Sequence, residues 1–264
     1  MLPKSFTIFA DHKGHRMTLS NFILNPKETT ISLDQIHLSD ENTHLLNQLL
    51  KDFKHVEVLN QYNLPVDNKL FLFGHTGCGK TTTAKAIAQA LNKKIIILNL
   101  GSIVSSRLGE TAKNITEVFK KAQREKAVLL LDEFDSIGKL RDHDDKDSSE
   151  MKRLVNTVIQ LIDELPNDTL LIAATNHSKI IDTALLRRFQ LKLKFELPSQ
   201  LQLDVYYDSL LKQFPEEFRK LNRVYNISYA EAKDITFRAV KNLIIQNEEA
   251  KEGLEMSENP THTI

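Results

Sequence analysis

The sequence predicts an α/β fold: a parallel sheet sandwiched between helices, then a segment built only of helices. Three observations carry this. Between residues 69 and 195 short apolar runs alternate with amphipathic helical patterns. One strand–helix junction reads Gly74-His75-Thr76-Gly77-Cys78-Gly79-Lys80-Thr81, a Gly, four free positions, then Gly-Lys-Thr. Beyond Pro198 only the helical period remains.

The elements follow in order. Residues 1–30 read as a short N-terminal extension, with a hairpin of 6–10 and 16–19 around His12-Lys13-Gly14-His15. Residues 40–60 carry a helical stripe in Leu45, Leu49, Phe53 and Val56. Residues 69–73 form a buried strand, and 82–91 a helix with Ala84, Ile87, Ala88 and Leu91 on one face. The runs 95–98, 127–131 and 170–174 are apolar throughout, as central strands buried on both faces require. Helices lie between them, marked by Ile115, Val118, Phe119 and Ala122, and by Leu154, Val158, Leu161 and Leu165. Residues 191–195 form the last strand. Two or three helices fill 198–247, opened by possible capping boxes at Ser199/Gln202 and Ser228/Glu231. The tail, 248–264, is polar and is expected to be disordered.

Composition narrows the function. Hydrophobic content of 41% and charged content of 27% over 264 residues suit a soluble globular protein. Thirty-five Lys and Arg balance 35 Asp and Glu, so no global field favours nucleic acid. Cys78 is the only cysteine, which excludes an intramolecular disulfide. No N-terminal apolar run suggests a signal peptide, and no segment approaches the ~20 apolar residues of a membrane helix. A cytoplasmic protein without membrane contact is the expectation.

The glycine-rich run predicts phosphate chemistry. Its glycines let the backbone curl so that several N–H groups face one concavity at a helix N-terminus. Gly74, His75, Thr76, Gly77, Cys78, Gly79, Lys80, Thr81 and Thr82 would cradle a nucleotide triphosphate. Lys80 would reach the β- and γ-phosphates, and the Thr81 hydroxyl would take a Mg²⁺ position. The strand at 128–131 ends in Asp132-Glu133. An acid there sits at the sheet edge where ligands bind. Asp132 would hold the Mg²⁺ and Glu133 would polarise an attacking water. Asn176, after the strand at 170–174, either orients that water or begins a turn. On the residues alone, Arg187-Arg188 is a solvated face or a carboxylate partner.

Taken together, the phosphate loop, Leu131-Asp132-Glu133-Phe134-Asp135-Ser136-Ile137, Ala173-Ala174-Thr175-Asn176 and the stretch from Ile181 to Phe189 resemble the AAA+ ATPase superfamily, in the group with the second region of homology. Leu186-Arg187-Arg188-Phe189 is most similar to the katanin and spastin branch, in a compact stand-alone form of prokaryotic type. The resemblance covers roughly 31–247. It implies a five-stranded αβα ATP-binding domain over 31–197 and a small helical lid over 198–247, with ATP or ADP and Mg²⁺ between them. It implies that Asn176 senses the γ-phosphate. Arg187 and Arg188 would reach the next subunit's site in a nucleotide-dependent ring, a hexamer in the family pattern. Leu33-Asp34-Gln35-Ile36 and Ser228-Tyr229-Ala230-Glu231 resemble the family's adenine-side segments, which brings Asp34, Ile36 and Ala230 to the base.

Several positions depart from the pattern. Ser105-Ser106-Arg107-Leu108-Gly109-Glu110 stands where the family's threading loop carries an aromatic, with Arg107 in its place. A guanidinium grips acidic or polar surfaces rather than any side chain. Asp142, Asp144, Asp145, Asp147 and Glu150 form an acidic run where a second pore loop would lie, or a solvated loop. His75 and Thr76 replace two usual prolines. Cys78 is either an alkylation-sensitive loop thiol or a packed one. With about 30 residues before the ATPase region, client choice is expected to rest on a separate protein, the pore loops or that extension. Two functions follow: a ring ATPase that remodels a protein client, and an ATP-dependent assembly switch that recruits a partner with little threading.

Overall fold

The computed structural model describes the backbone of residues 7–10, 16–18, 23–24, 31–104, 108–138 and 146–258, with side chains over 31–102, 111–137 and 151–251. Arg107 and the acidic residues Asp142, Asp144 and Asp145 lie outside the described residues, as does the turn 11–15.

The apolar runs become strands, the first four with a C-terminal end one residue longer than predicted and the last as predicted. They are β4 (Lys69–Gly74), β5 (Ile95–Asn99), β6 (Val128–Asp132), β7 (Leu170–Thr175) and β8 (Leu191–Phe195). The added residues are polar or glycine, so hydrophobicity does not announce them. Five strands run parallel in the order β5-β6-β7-β4-β8. The central β7 is buried at every position, as helices on both faces demand. β8 alternates instead, with Leu193 and Phe195 buried and Lys192 and Lys194 exposed. That is the pattern of an edge strand.

The N-terminal extension holds β1 (Thr7–Ala10) and β2 (Arg16–Thr18), an antiparallel pair with Thr7 opposite Thr18. It also supplies β3 (Ile23–Leu24), which the sequence did not reveal. β3 adds antiparallel to β5, with Ile23 opposite Ile96, and so completes a six-stranded sheet. Two residues are too few for any periodicity to show.

Helices fill the intervals: α1 (Asp40–Lys54), α2 (Val56–Gln61), α3 (Lys80–Ala90), α4 (Leu100–Val104), α5 (Leu108–Glu125), α6 (Asp135–Gly138), α7 (Lys146–Asp163) and α8 (Thr183–Leu186). The buried stripe of α1 is Asn42, Leu46, Leu49 and Phe53 rather than one through Leu45. The phase is set by Asn42, whose side-chain amide donates to the Lys194 carbonyl at 2.8 Å and covers the β8 edge. Ser39 caps α1 by accepting from the Asn42 N–H. Beneath the site edge lies an aromatic cluster. Phe134 packs edge-on against Phe71 and Phe189, with centroids 6.4 and 5.6 Å apart, and Phe71 meets Phe189 at 5.4 Å.

By contacts the chain forms two compact units, 1–74 with 79–195, and 75–78 with 196–264. The second contains α9 (Gln200–Leu211) and α10 (Tyr229–Glu258). Both capping boxes form: Ser199 with Gln202, and Ser228 with Glu231. Leu203, Tyr207 and Ala232 are its buried centre, with Tyr206 and Tyr229 edge-on at 4.9 Å. Arg223 clasps Asp204 at 2.7 Å and also Asp208, while Tyr225 donates to Asp204 at 2.9 Å. α10 corrects the expectation of a disordered tail: it runs through Glu258, past 247. This stretch lacks an apolar stripe and is polar, yet it is made of helix-forming residues, with Lys251 on Glu248 at 2.8 Å. Among the described residues no helix is long and apolar enough to cross a membrane.

Candidate active site

The parallel register brings the C-terminal ends of four strands to one edge. Asn99 stands opposite Asp132, Leu131 opposite Ala173, and Phe73 opposite Thr175. Within the first unit, Gly74, Gly79 and Lys80, the acids after β6, and Asn176 after β7 are therefore placed at the same edge. This is the edge at which open parallel sheets bind ligands.

The loop from β4 to α3 takes the conformation its glycines permit. Gly74 has φ +129°, and a Cβ there would lie 1.9 Å from the Phe195 carbonyl oxygen. Only glycine lets β4 and β8 pair so closely at this point. Gly79 caps α3 at φ +97°, and a Cβ there would meet nothing within 4 Å. The space on the Cβ side of Gly79 is thus open, and only the left-handed backbone calls for glycine there. α3 begins at Lys80, two residues earlier than the apolar stripe implied, because Lys80 and Thr81 are polar first-turn residues. Lys80 is buried and its ammonium donates to the Gly74 carbonyl at 2.9 Å. Cys78 is buried, which favours the packed thiol.

Thr81 and Asp132 meet directly, the hydroxyl donating to the carboxylate at 2.9 Å. They are adjacent hard oxygen donors, the kind that share Mg²⁺ with phosphate oxygens and water. The other Asp132 oxygen accepts from the Glu133 N–H at 3.0 Å. Glu133 is exposed and has φ +53°, a left-handed conformation uncommon outside glycine and asparagine. That turn swings its carboxylate to Asn99, whose amide donates to it at 3.1 Å. Asn99 also accepts from the Ser102 N–H at 3.0 Å, capping α4. A Cβ on Gly101 would lie 2.0 Å from the Glu133 carboxylate. Asn99 and Gly101 were missed from sequence. The one available signal was a polar residue ending an apolar strand, as Asp132 does.

Asn176 is exposed beyond β7. Its neighbours are pinned: the Thr175 hydroxyl donates to buried Asp135 at 2.8 Å and accepts from the His177 N–H at 2.9 Å. At the other end of the chain segment, Arg188 binds Asp163 and the Ala184 carbonyl, while Arg187 is exposed. The two adjacent arginines therefore differ in their surroundings.

The adenine-side residues fare differently. Asp34 lies in a 3-10 turn, Leu33–Gln35, where its carboxylate accepts from the Ser32 hydroxyl at 3.2 Å. Ile36 ends that turn, which packs against α3. Ala230, in the second unit, donates its N–H to the Gly77 carbonyl at 3.1 Å. A Cβ on Gly77 would meet the Ser228 hydroxyl at 2.6 Å. The loop apex and the start of α10 are thus in contact. Burial pushes the neighbouring Tyr229 hydroxyl up to about 12. Hydrogen bonds from the Ser228 N–H and then its hydroxyl hold Glu231 below the usual glutamate range.

The strand–loop–helix with its acid pair matches a family model. Residues 70–197 match the ATPase family associated with various cellular activities, AAA. That stretch is similar to an AAA ATPase domain. Relatives agree. An uncharacterized AAA family ATPase, y4kL, of Sinorhizobium fredii is 34% identical over 81% of this chain and 65% of its own length. A proteasome-activating nucleotidase of Thermococcus onnurineus is 31% identical over 64% of this chain and 44% of its own. The peroxisomal ATPase PEX1 of Saccharomyces cerevisiae is 34% identical over 61% of this chain and 16% of its own. The chain thus spans less than two thirds of each of these relatives. The matched stretch coincides with the parallel sheet and includes every strand-end residue of the site.

Proposed function

We propose that this AAA domain hydrolyses ATP to ADP and phosphate within a ring of identical subunits, and that the ring remodels a protein client. One observation carries the chemistry: the Thr81 hydroxyl and Asp132 carboxylate meet at 2.9 Å at the first turn of α3, with Glu133 as the residue after Asp132. Thr81 and Asp132 would hold Mg²⁺, which when bound supplies positive charge to the β- and γ-phosphate oxygens. The loop N–H groups and Lys80 bind the phosphates. Glu133, released from Asn99, takes the proton of the attacking water as general base. Asn176 positions that water and contacts the γ-phosphate.

The Arg187–Arg188 segment of the next subunit stabilises the charge on the departing phosphoryl group, as in the katanin and spastin branch. An arginine supplied in trans is worth about 10³–10⁵ in rate, roughly 4–7 kcal/mol of barrier. Isolated subunits therefore bind ATP and hydrolyse it slowly. The named nucleotidase relative supports a protein client. Arg107 in place of an aromatic supports a second reading, an ATP-dependent assembly switch that recruits its partner without threading.

The Glu133→Gln variant tests the chemistry. It should bind ATP with wild-type affinity and lose hydrolysis. Hydrolysis at the wild-type rate would remove Glu133 from the role of base. The double change Arg107→Ala with Leu108→Ala separates the two readings: lost remodelling with intact ATPase supports threading, and unchanged remodelling rejects it.

A further inference from the structure

We propose that the adjacent arginines do different work: Arg187 alone touches the neighbour's nucleotide, and Arg188, locked to Asp163, is a positioning residue that fixes the backbone presenting Arg187. The proposal rests on the trans-hydrolysis reading above.

All three nitrogens of the Arg188 guanidinium are engaged. Nε and Nη2 each lie 3.3 Å from one oxygen of the Asp163 carboxylate, a two-pronged contact, and Nη1 donates to the Ala184 carbonyl at 2.8 Å. Arg188 therefore bridges α7 to α8, the helix just before it. To reach another subunit it would have to give up all three contacts. Among the described residues the Arg187 side chain makes no hydrogen bond or ion pair, its backbone N–H alone donating to the Thr183 carbonyl at 3.1 Å, and the residue is exposed. It carries the same charge without that restraint.

The footing is rigid. Asp163 is the last residue of α7, where a carboxylate faces the negative end of the helix dipole. An acid there is unfavourable unless a cation answers it. Arg188 does so in direct contact, and Lys69 at the start of β4 faces the same carboxylate. The turn that follows is tied down by buried Asn68, which donates to the Pro166 carbonyl at 2.9 Å and the Thr169 carbonyl at 3.1 Å. On the inner side Leu185 and Phe189 are buried, Phe189 against Phe71 and Phe134. The backbone at Arg187 is thus held between two buried anchors and one strut, with its own side chain directed out. Side-chain exposure of 31% for Arg188 and 51% for Asp163 keeps the strut's effect on stability small. Its effect is on geometry, to which a charge-stabilising group is sensitive.

The test compares ATPase kinetics of Arg187→Ala, Arg188→Ala, Arg188→Lys and Asp163→Asn, at a concentration where the wild type is assembled. Arg187→Ala should lose about 10³-fold or more in kcat. Arg188→Ala and Asp163→Asn should each lose a smaller, equal factor of about 3- to 30-fold with KM unchanged, and the double variant should lose no more than either. Arg188→Lys, which keeps the charge but not the fork, should fall with them, and it carries the test if the alanine variant does not fold. In single-turnover assays Asp163→Asn should cost nothing further in the Arg187→Ala background, whereas a merely structural role would lower both backgrounds. Arg188→Ala falling as far as Arg187→Ala, with Asp163→Asn at the wild-type rate, would overturn the proposal. The underlying reading has its own control. Mixing Arg187→Ala with Glu133→Gln subunits should restore hydrolysis, because each supplies what the other lacks. If Arg187→Ala alone keeps the wild-type rate, the trans reading fails, and the division of labour fails with it.

Discussion

Phe134 follows Glu133, the proposed general base, and makes two edge-on contacts in the buried aromatic cluster, to Phe71 and Phe189. Replacing it by leucine keeps an apolar side chain of similar bulk and removes both ring–ring contacts. Each such pair is worth about 0.5–1.5 kcal/mol beyond the area it buries. The loss for Phe134→Leu is therefore about 1–3 kcal/mol. Truncation to alanine opens a cavity in a site with no exposure and should cost about 3–5 kcal/mol. At about 2–4 °C per kcal/mol for a chain of this size, the leucine variant should melt about 2–12 °C below the wild type. The chain has no tryptophan, so far-UV circular dichroism is the practical probe of unfolding. A leucine variant within about 0.5 kcal/mol of the wild type would show that ring geometry contributes nothing. A leucine variant as damaged as the alanine one would show that shape, not aromatic contact, governs the site.

Further outcomes follow from other contacts. Gly74→Ala places a Cβ against the Phe195 carbonyl and should destabilise the sheet unit by at least about 2 kcal/mol in chemical denaturation, whereas Gly79→Ala clashes with nothing, carries only the strain of its left-handed backbone and should cost less stability while lowering ATP affinity; equal loss of stability in both would refute the distinction. Asn99→Ala removes a hydrogen bond to the Glu133 carboxylate and should change kcat by about two- to tenfold with ATP affinity intact, as steady-state kinetics and equilibrium binding would show. Acid should weaken the second unit. Arg223 and then Tyr225 hold Asp204 below its usual range, and Ser228 holds Glu231 below its own. Both carboxylates have folded values below their unfolded ones. Their stabilisation is therefore full above the ordinary carboxylate range and is lost as pH falls through the depressed values. Asp204→Asn with Glu231→Gln should flatten the pH dependence of unfolding below about pH 4.5, and an unchanged profile would remove these two groups from the account.

The central sheet was legible because its strands are buried on both faces and so read as unbroken apolar runs between helices of clear period. The phosphate loop was legible because Gly74 and Gly79 serve backbone conformations that few residues adopt. The acids at the end of β6 were legible because charge interrupts an apolar run there. Other features depend on partners distant in the chain. Asn42 is buried only because β8 needs a donor at Lys194, and that moved the α1 stripe away from Leu45. β3 is two residues long and exists by pairing with β5. Asn99 meets Glu133 only after the parallel register brings β5 beside β6. Asp163 meets Arg188 across 25 residues of sequence, a pairing that no local pattern encodes. The helical continuation of α10 beyond 247 has no apolar face, so hydrophobic pattern could not foretell it.

The most direct test is the ATPase rate measured against protein concentration, with light scattering on the same samples. Specific activity that rises steeply, together with ATP-dependent growth to the mass of a ring, is the expected result for arginines supplied in trans. Specific activity that stays flat on dilution through dissociation would contradict it, since each subunit would then hydrolyse ATP unaided.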